Sequence, residues 1–154
     1  MAFGYVTYKT FAPVNTIVQD LTGSEGCGVY LYTSGGTAEA TIKVATASTN
    51  VPYALIAVGS TTPDNTYPGQ PVAGSLEVVD QLGCAVQVKA STTGAISAGE
   101  FVAIDNSDAD GTFVTLGNQA PASNSWSWGL ALTDCQAGEQ FIIRFQPFIA
   151  KYPS

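Results

Sequence analysis

The sequence predicts an all-β protein, and three observations lead to that prediction. Apolar and polar residues alternate with a period of two in several short segments, as in strands that bury one face. The 154 residues include 16 Gly and 8 Pro, which is typical of a chain with many turns. Strand-like segments recur at intervals of roughly 10–15 residues, and no long helical pattern competes with them. We therefore expect a compact antiparallel β-barrel or β-sandwich with extended N- and C-terminal arms.

The predicted strands follow one another through the middle of the chain. The stretch 39–44 alternates polar and apolar residues, whereas the run 53–58 is apolar on both faces, as in a fully covered strand. Segments 33–36 and 108–111 contain Gly and are predicted to be hairpin connections, in which Gly supplies a positive φ. The strand candidates are residues 39–44, 53–58, 76–79, 84–89, 101–104, 113–116, 126–132 and 140–145.

The length of the chain fits a single domain that can bury its own core. We expect the β domain to span residues 21–146, with an N-terminal arm or edge strand at 1–20 and a C-terminal tail at 147–154. Both ends carry apolar and aromatic side chains, which is unusual for free termini. Either the ends are edge strands of the same sheet, or they complete their burial on another chain. The candidate interface residues are Phe3, Tyr5, Tyr8, Phe11, Phe148, Ile149 and Tyr152.

Composition and charge argue against several classes of function. Only 11% of the residues are charged, about half the usual share. The net charge is −7 and the five Lys and Arg residues are scattered singly, so we expect no binding to nucleic acid, whose phosphates require clustered cations. No apolar stretch reaches the roughly 18 residues of a membrane span, and the N-terminus lacks a secretory pattern. We therefore expect synthesis and folding in the cytoplasm, no membrane partner, and an acidity that serves solubility.

The three cysteines, Cys27, Cys84 and Cys135, form no CxxC motif and have no histidine to join them. An odd number of cysteines cannot all pair within one chain. In a cytoplasmic protein they are expected to be reduced, half-buried thiols, with one disulfide or an intersubunit contact as the alternative.

The sequence offers few groups for catalysis, and we expect no enzymatic activity and no cofactor. Without histidine, neither a Ser-His-Asp nor a Cys-His apparatus can be assembled. Zinc-binding and phosphate-binding motifs are absent as well. A Ser–Lys pair and a pair of carboxylates remain open, although nothing in the local sequence marks either.

The segment 106–111 begins like a calcium-binding loop, with oxygen-bearing residues at alternate positions and a Gly for the sharp turn. The Glu expected six residues after that Gly is missing, because position 117 is Gly117. We therefore predict a solvated hairpin turn and no metal site.

Two similar segments stand out in the last third of the chain, at 97–105 and 136–143. Each places Ala-Gly-Glu directly before an apolar strand. We interpret this as a strand-initiation device, in which Gly permits a tight turn and Glu stays solvated at the start of the strand. Between them, Trp126, Trp128, Leu130 and Leu132 share one face of a predicted strand, and such a row is typically buried.

The order of these elements resembles that of the capsid decoration, or cement, proteins of tailed bacteriophages. In that family a G-x-I-x-A-G-(D/E)-x-V strand leads through a turn to a G-x-A-L-x-x-x-x-A-G-E-x-(V/I)-x-V strand pair. The corresponding segments here are 94–102 and 129–144, and the resemblance covers roughly residues 84–146. It implies a β-rich, non-catalytic protein, commonly trimeric, whose partner is the major capsid protein.

The function expected from this resemblance is structural. The protein would bind the outer surface of an assembled phage capsid and stabilise it as a component of the virion. A carbohydrate-binding or adhesive virion module, in a fibre or tail, is the alternative, and it would expose Trp126, Trp128 and Tyr67 together as a stacking platform. A metal-assisted hydrolase is a third class, for which divalent ions would raise the thermal stability.

Overall fold

A computed structural model describes residues 10–11, 21, 23–33, 40–59, 77–118 and 125–150. In these ranges the chain is all-β, as predicted, and the one helical element among them is a short 3-10 turn at Leu116–Asn118. The strands are β1 Thr10–Phe11, β2 Gly28–Thr33, β3 Ala40–Val44, β4 Pro52–Leu55, β5 Glu77–Val78, β6 Ala85–Lys89, β7 Phe101–Ile104, β8 Phe113–Thr115, β9 Trp126–Ala131 and β10 Gln140–Ile149.

The larger sheet is antiparallel and has the strand order β6-β10-β9-β7-β8. The turn predicted at 108–111 connects β7 to β8, which pair antiparallel. A single parallel bridge between Ala90 and Phe113 brings the end of β6 beside β8, so the sheet is curled. The two sheets are packed together without forming a closed barrel, and the architecture is therefore sandwich-like.

The smaller sheet has three strands in the order β3-β2-β4. An antiparallel bridge between Leu55 and Val79 joins β4 to the end of β5, and β5 in turn pairs with β1. Through these contacts the two-residue strand β1 lies at the edge of the second layer. The predicted hairpin connection at 33–36 falls between the paired strands β2 and β3, and residues 34–39 themselves lie outside the described part of the chain.

The main core is built largely from alternate residues of the larger sheet, and Leu55 of the smaller sheet packs into it. On β10, Phe141, Ile143 and Phe145 face inward, while Gln140 and Arg144 face solvent. The inward cluster contains 16 buried residues, with Trp128 and Phe113 near its centre. A second buried cluster is formed mainly by the smaller sheet, and its members are Leu21, Cys27, Val29, Ile42, Val44, Ala54, Ile56 and Val78.

Three segments differ from the strand candidates read in the sequence. The candidate 53–58, expected to be a fully covered strand, is a strand only as far as Leu55, and Tyr53 is half-buried. The central strand of the smaller sheet, β2, was not among those candidates, because Val29, Tyr30, Leu31 and Tyr32 are apolar or aromatic on both faces and give no alternation. The last strand continues to Ile149, so the first three residues of the expected tail at 147–154 are the end of β10.

Candidate functional site

Both Ala-Gly-Glu segments form the same hydrogen-bonded turn, and each turn ends at the start of a strand. Glu100 accepts a hydrogen bond from the backbone N–H of Ser97 at 2.7 Å, and Glu139 accepts one from that of Gln136 at 3.0 Å. The next residue begins β7 in one case and β10 in the other. This geometry confirms the interpretation of the repeat as a strand-initiation device, with a solvent-exposed Glu closing each turn.

The two turns lie side by side at one end of the larger sheet. Ile96 and Cys135 form an antiparallel bridge, with N–H···O distances of 3.0 and 2.9 Å. The carboxylate of Asp134 accepts a hydrogen bond from the backbone N–H of Ala98 at 2.7 Å and so ties one turn to the other. We call this region, with the exposed carboxylates of Glu100, Asp134 and Glu139, the acidic end.

At the opposite end of β7, the carboxylates of the 105–110 turn are bound by the chain itself. Asp105 accepts hydrogen bonds from the backbone N–H and the hydroxyl of Ser107, and Asp110 accepts the corresponding pair from Thr112. Ala109 has a φ of +52°, which fits a tight turn. Within the described ranges, no group of three or more Cys, Asp or Glu side chains is arranged to hold a metal ion.

The hydroxyl of Ser91 links two of these carboxylates. Its Oγ lies 2.5 Å from Asp105 Oδ2 and 2.6 Å from Asp108 Oδ2, and because it carries one proton it donates to one of them at a time. Burial alone would raise the pKa of Asp105, but hydrogen bonds from Ser107, Ser91 and Thr93 outweigh it and lower that pKa to about 2. The arrangement keeps a buried carboxylate charged and holds the turn against the end of β6.

Cys27 and Cys135 are buried thiols, more deeply placed than the half-buried position predicted, whereas Cys84 is half-buried as predicted. Burial raises the pKa of Cys27 to about 11, and the nearby carboxylate of Asp110 acts in the same direction. Burial also raises the pKa of Cys135. Both thiols therefore stay protonated near neutral pH and are poor nucleophiles.

Cys27 also lies at the wall of a shallow pocket of about 360 Å³, which is formed between the start of β2, the end of β3 and the 109–112 turn. Lys89 and Asp110 line the same pocket with several hydroxyl groups. No described histidine or cysteine thiolate is present to act there as a base or nucleophile. The pocket therefore offers polar contacts from Lys89, Asp110 and the hydroxyl groups of its lining.

The predicted row of Trp126, Trp128, Leu130 and Leu132 is not a single face. Trp128 is 0% exposed and packs edge-on against Phe113 at a centroid distance of 5.8 Å, whereas Leu132 is exposed. The alternation breaks at Gly129, where a Cβ atom would lie 2.0 Å from the carbonyl oxygen of Arg144. Leu130 consequently pairs with the exposed Arg144 on the outer face.

This burial bears on the proposed stacking platform for carbohydrate. Trp128 belongs to the core, Trp126 is half-buried, and Tyr67 lies outside the described residues. A ligand could not stack on Trp128 without opening the core, so the platform of three exposed rings does not exist.

An exposed apolar region lies on the outer face of β7, β9 and β10. Phe101, Leu132 and Phe148 are 47%, 39% and 37% exposed, and the half-buried Leu130 and Ile142 lie between them. The rings of Phe101 and Phe148 meet edge-to-face across β9, with centroids 5.1 Å apart and planes at 85°. We call these five residues the apolar strip. It begins next to the acidic end, because Phe101 directly follows Glu100.

The candidate interface residues read from the sequence are only partly described. Phe148 is on the apolar strip, and the half-buried Ile149 pairs with Trp126 at the end of β10. Phe11 is placed in β1 opposite Glu77, while Phe3, Tyr5, Tyr8 and Tyr152 lie outside the described residues. Sequence reasoning missed Phe101, Leu130, Leu132 and Ile142. The strand register would have revealed their outward direction, because Ile142 lies opposite the exposed Gln87 and Leu130 lies opposite the exposed Arg144.

Comparison with known proteins adds no assignment. A scan against protein-family models finds no match, and a search of curated proteins finds no relative. The described part of the chain contains no apolar helix of membrane-spanning length.

Proposed function

We propose that this protein is a structural component of a phage virion that binds the outer surface of the assembled capsid and stabilises it. The motif order at 94–102 and 129–144 suggests this class. The observation that supports it best is the apolar strip, because contiguous exposed apolar surface marks an interaction site more often than isolated apolar residues do. The partner in this proposal is the major capsid protein.

The two Phe rings of the strip supply a useful amount of binding free energy. An aromatic side chain buries roughly 150–250 Å² when fully covered. With 47% and 37% of the two rings still exposed, a partner would cover on the order of 150 Å² more, which contributes about 4 kcal/mol at about 25 cal/mol per Å². Association entropy and side-chain ordering reduce this value. A single contact of this size is weak, so many copies must act together.

The proposed mechanism is linkage between binding and assembly. A subunit that binds the shell but not its free components stabilises the shell by RT ln(1 + [L]/Kd), or about 2.7 kcal/mol at a hundredfold excess over Kd. The trimer that the family resemblance implies would raise the apparent affinity further, because the second and third contacts become intramolecular. No chemical step is required of the protein.

The polar groups of the described residues are compatible with a structural role. Glu100, Asp134 and Glu139 close or connect turns at one end of the sheet, and Asp105 and Asp110 do the same at the other. Their oxygen atoms accept hydrogen bonds from the chain, as carboxylates that stabilise turns do.

Co-sedimentation with undecorated, expanded capsids of the phage that encodes the chain tests the proposal. The wild-type protein should pellet with the shells at saturable stoichiometry, and the variant Phe101→Thr/Phe148→Thr should stay in the supernatant. The matched control is Val51→Thr/Leu82→Thr, which replaces two exposed apolar residues outside the strip. Full pelleting of the strip variant, or no pelleting of the wild type, would contradict the proposal.

A further inference from the structure

We propose that the surface that covers the apolar strip is apolar at its centre and basic along the edge that meets the acidic end. The inference rests on the proposed function and specifies the chemistry of the partner. The docking face has two chemically different parts, because carboxylates lie at one end of its strands while the strip itself is apolar apart from Arg144, which pairs with Leu130.

The carboxylates of the acidic end are placed for a partner at the border of the strip. Glu100 precedes Phe101, and Asp134 follows Leu132 by two residues, so both lie where the strip begins. Glu139 closes the neighbouring turn before β10. All three residues are exposed, and each carboxylate accepts a hydrogen bond from a backbone N–H. Their negative charge is therefore open to solvent and to a docking surface.

No described cation neutralises the acidic end within the same chain. The three described cations are Lys43, Lys89 and Arg144, and none of them forms an ion pair with these carboxylates in the described part of the molecule. The ammonium of Lys43 lies instead 3.9 Å from the centre of the Tyr32 ring. A partner that brings complementary charge is therefore favoured over one that brings like charge, since like charges opposed at an interface disfavour association.

The same charge balance argues against a second copy of this chain as the occupant of the strip. The chain carries 12 acidic and 5 basic residues. A copy of the same chain brings another net charge of −7 to the contact, whereas a basic surface is attracted over several ångströms before contact. A partner that is apolar at the centre and basic at one edge satisfies both parts of the docking face.

Neutral variants that preserve the turns test the inference. In Glu100→Gln/Asp134→Asn/Glu139→Gln, each side chain keeps an oxygen that can accept the backbone hydrogen bond, while three charges are removed. Glu25→Gln/Asp108→Asn/Asp110→Asn removes three charges away from the acidic end and serves as the control. Association with immobilised expanded capsids is measured by interferometry between low and physiological ionic strength.

The acidic-end variant should associate about tenfold more slowly at low ionic strength, with a flatter salt dependence and an unchanged melting temperature. The control should keep the wild-type rate. Equal slowing of both variants, or wild-type rates in both, would overturn the inference while leaving shell binding intact. Monomerisation of an oligomer by Phe101→Thr/Phe148→Thr would also overturn it, because a second copy would then cover the strip. Failure of the wild type to bind shells would instead reject the proposed function.

Discussion

Trp128 shows how closely neighbouring residues fit at the centre of the molecule. A Cβ atom on Gly28 would lie 2.6 Å from the Cζ3 atom of Trp128, so β2 approaches the indole ring only because position 28 has no side chain. Phe113 and Phe145 contact the same ring from the larger sheet. The close contact between Gly28 of the smaller sheet and Trp128 of the larger sheet therefore helps to hold the two sheets together.

Replacing Trp128 with Ala should destabilise the fold by about 3–5 kcal/mol, because the variant loses buried apolar area and leaves a cavity. Trp126→Ala is the control, and its cost should be smaller since Trp126 is only half-buried. Urea denaturation followed by circular dichroism measures both. Equal stability of Trp128→Ala and the wild type would mean that the ring is not part of the core.

The pKa of Asp105 predicts a dependence of stability on pH. This pKa is about 2 in the folded protein against an ordinary value of 3.8, so the folded state binds the proton more weakly than the unfolded chain does. The resulting stabilisation, about 2 kcal/mol, is fully present above pH 3.8 and is lost as the pH falls through 2. The sign follows because a depressed pKa favours folding only while the carboxylate is ionised.

Asp105→Asn removes this contribution and provides the comparison. The difference in free energy of unfolding between wild type and variant should be constant above about pH 5 and should shrink between about pH 4 and 2. Urea unfolding at a series of pH values measures it. If the difference in free energy of unfolding stayed constant down to pH 2, the pKa of Asp105 would not be lowered by folding.

At the scale of elements, the two Ala-Gly-Glu turns depend on glycine for conformational reasons alone. Gly99 has a φ of +89°, and a Cβ atom there would meet no neighbour within 4 Å. Gly99→Ala should therefore cost about 1–2 kcal/mol through backbone strain without any clash. Gly117→Ala is the control, because that position also has open space and carries no positive φ. Equal thermal stability of the two variants would show that the turn relaxes without cost.

Period-two alternation predicted the strands well wherever one face is buried and the other is wet. The segments 39–44, 84–89 and 101–104 were located to within a residue of β3, β6 and β7. The pattern failed for β2, where Leu31 and Tyr32 are apolar or aromatic although they are exposed, so that polarity does not alternate with burial. It also failed at Gly129, where a local distortion reverses the direction of the side chains that follow. Alternation of polar and apolar residues cannot predict such a distortion.

The candidate site was less accessible from the sequence than the strands were. The density of aromatic residues near the C-terminus identified Phe148, which is on the apolar strip. In the sequence, Phe101 is indistinguishable from an ordinary strand residue. Its outward direction follows from the pairing of β7 with β9, in which Phe101 lies opposite Leu130. Long-range register is fixed by tertiary packing, and a single sequence does not reveal it.

At the scale of the whole molecule, the N-terminal segment remains a predicted anchor to a neighbouring subunit or the capsid. The two described residues of this segment, Thr10 and Phe11, pair with β5. Deleting residues 2–9 should leave a folded β domain whose melting temperature is nearly unchanged but whose co-sedimentation with shells is weakened. Deletion of residues 2–11, which also removes β1, is the matched comparison. Loss of folding on deleting 2–9 would identify a core strand, and full co-sedimentation of both truncations would reject the anchoring role.

The protein combines a low content of charged residues with the exposed apolar strip on its larger sheet. Only 11% of the residues are charged, and the described acidic groups are concentrated in turns at the two ends of the larger sheet. The outer face between these ends is therefore free to contact a partner through Phe101 and Phe148. The larger sheet buries its inner face in the core and presents the apolar strip on its outer face, as a protein that covers a shell would require.

The most direct measurement is an electron cryomicroscopy reconstruction of expanded capsids incubated with the purified protein. The account predicts ordered density for the β-sandwich on the outer surface of the shell, with the apolar strip against the major capsid protein and basic capsid residues beside Glu100 and Asp134. Capsids without added protein, or with Phe101→Thr/Phe148→Thr, should lack this density. Ordered density that turns the strip toward solvent, or shells that remain bare at saturating protein, would contradict the account.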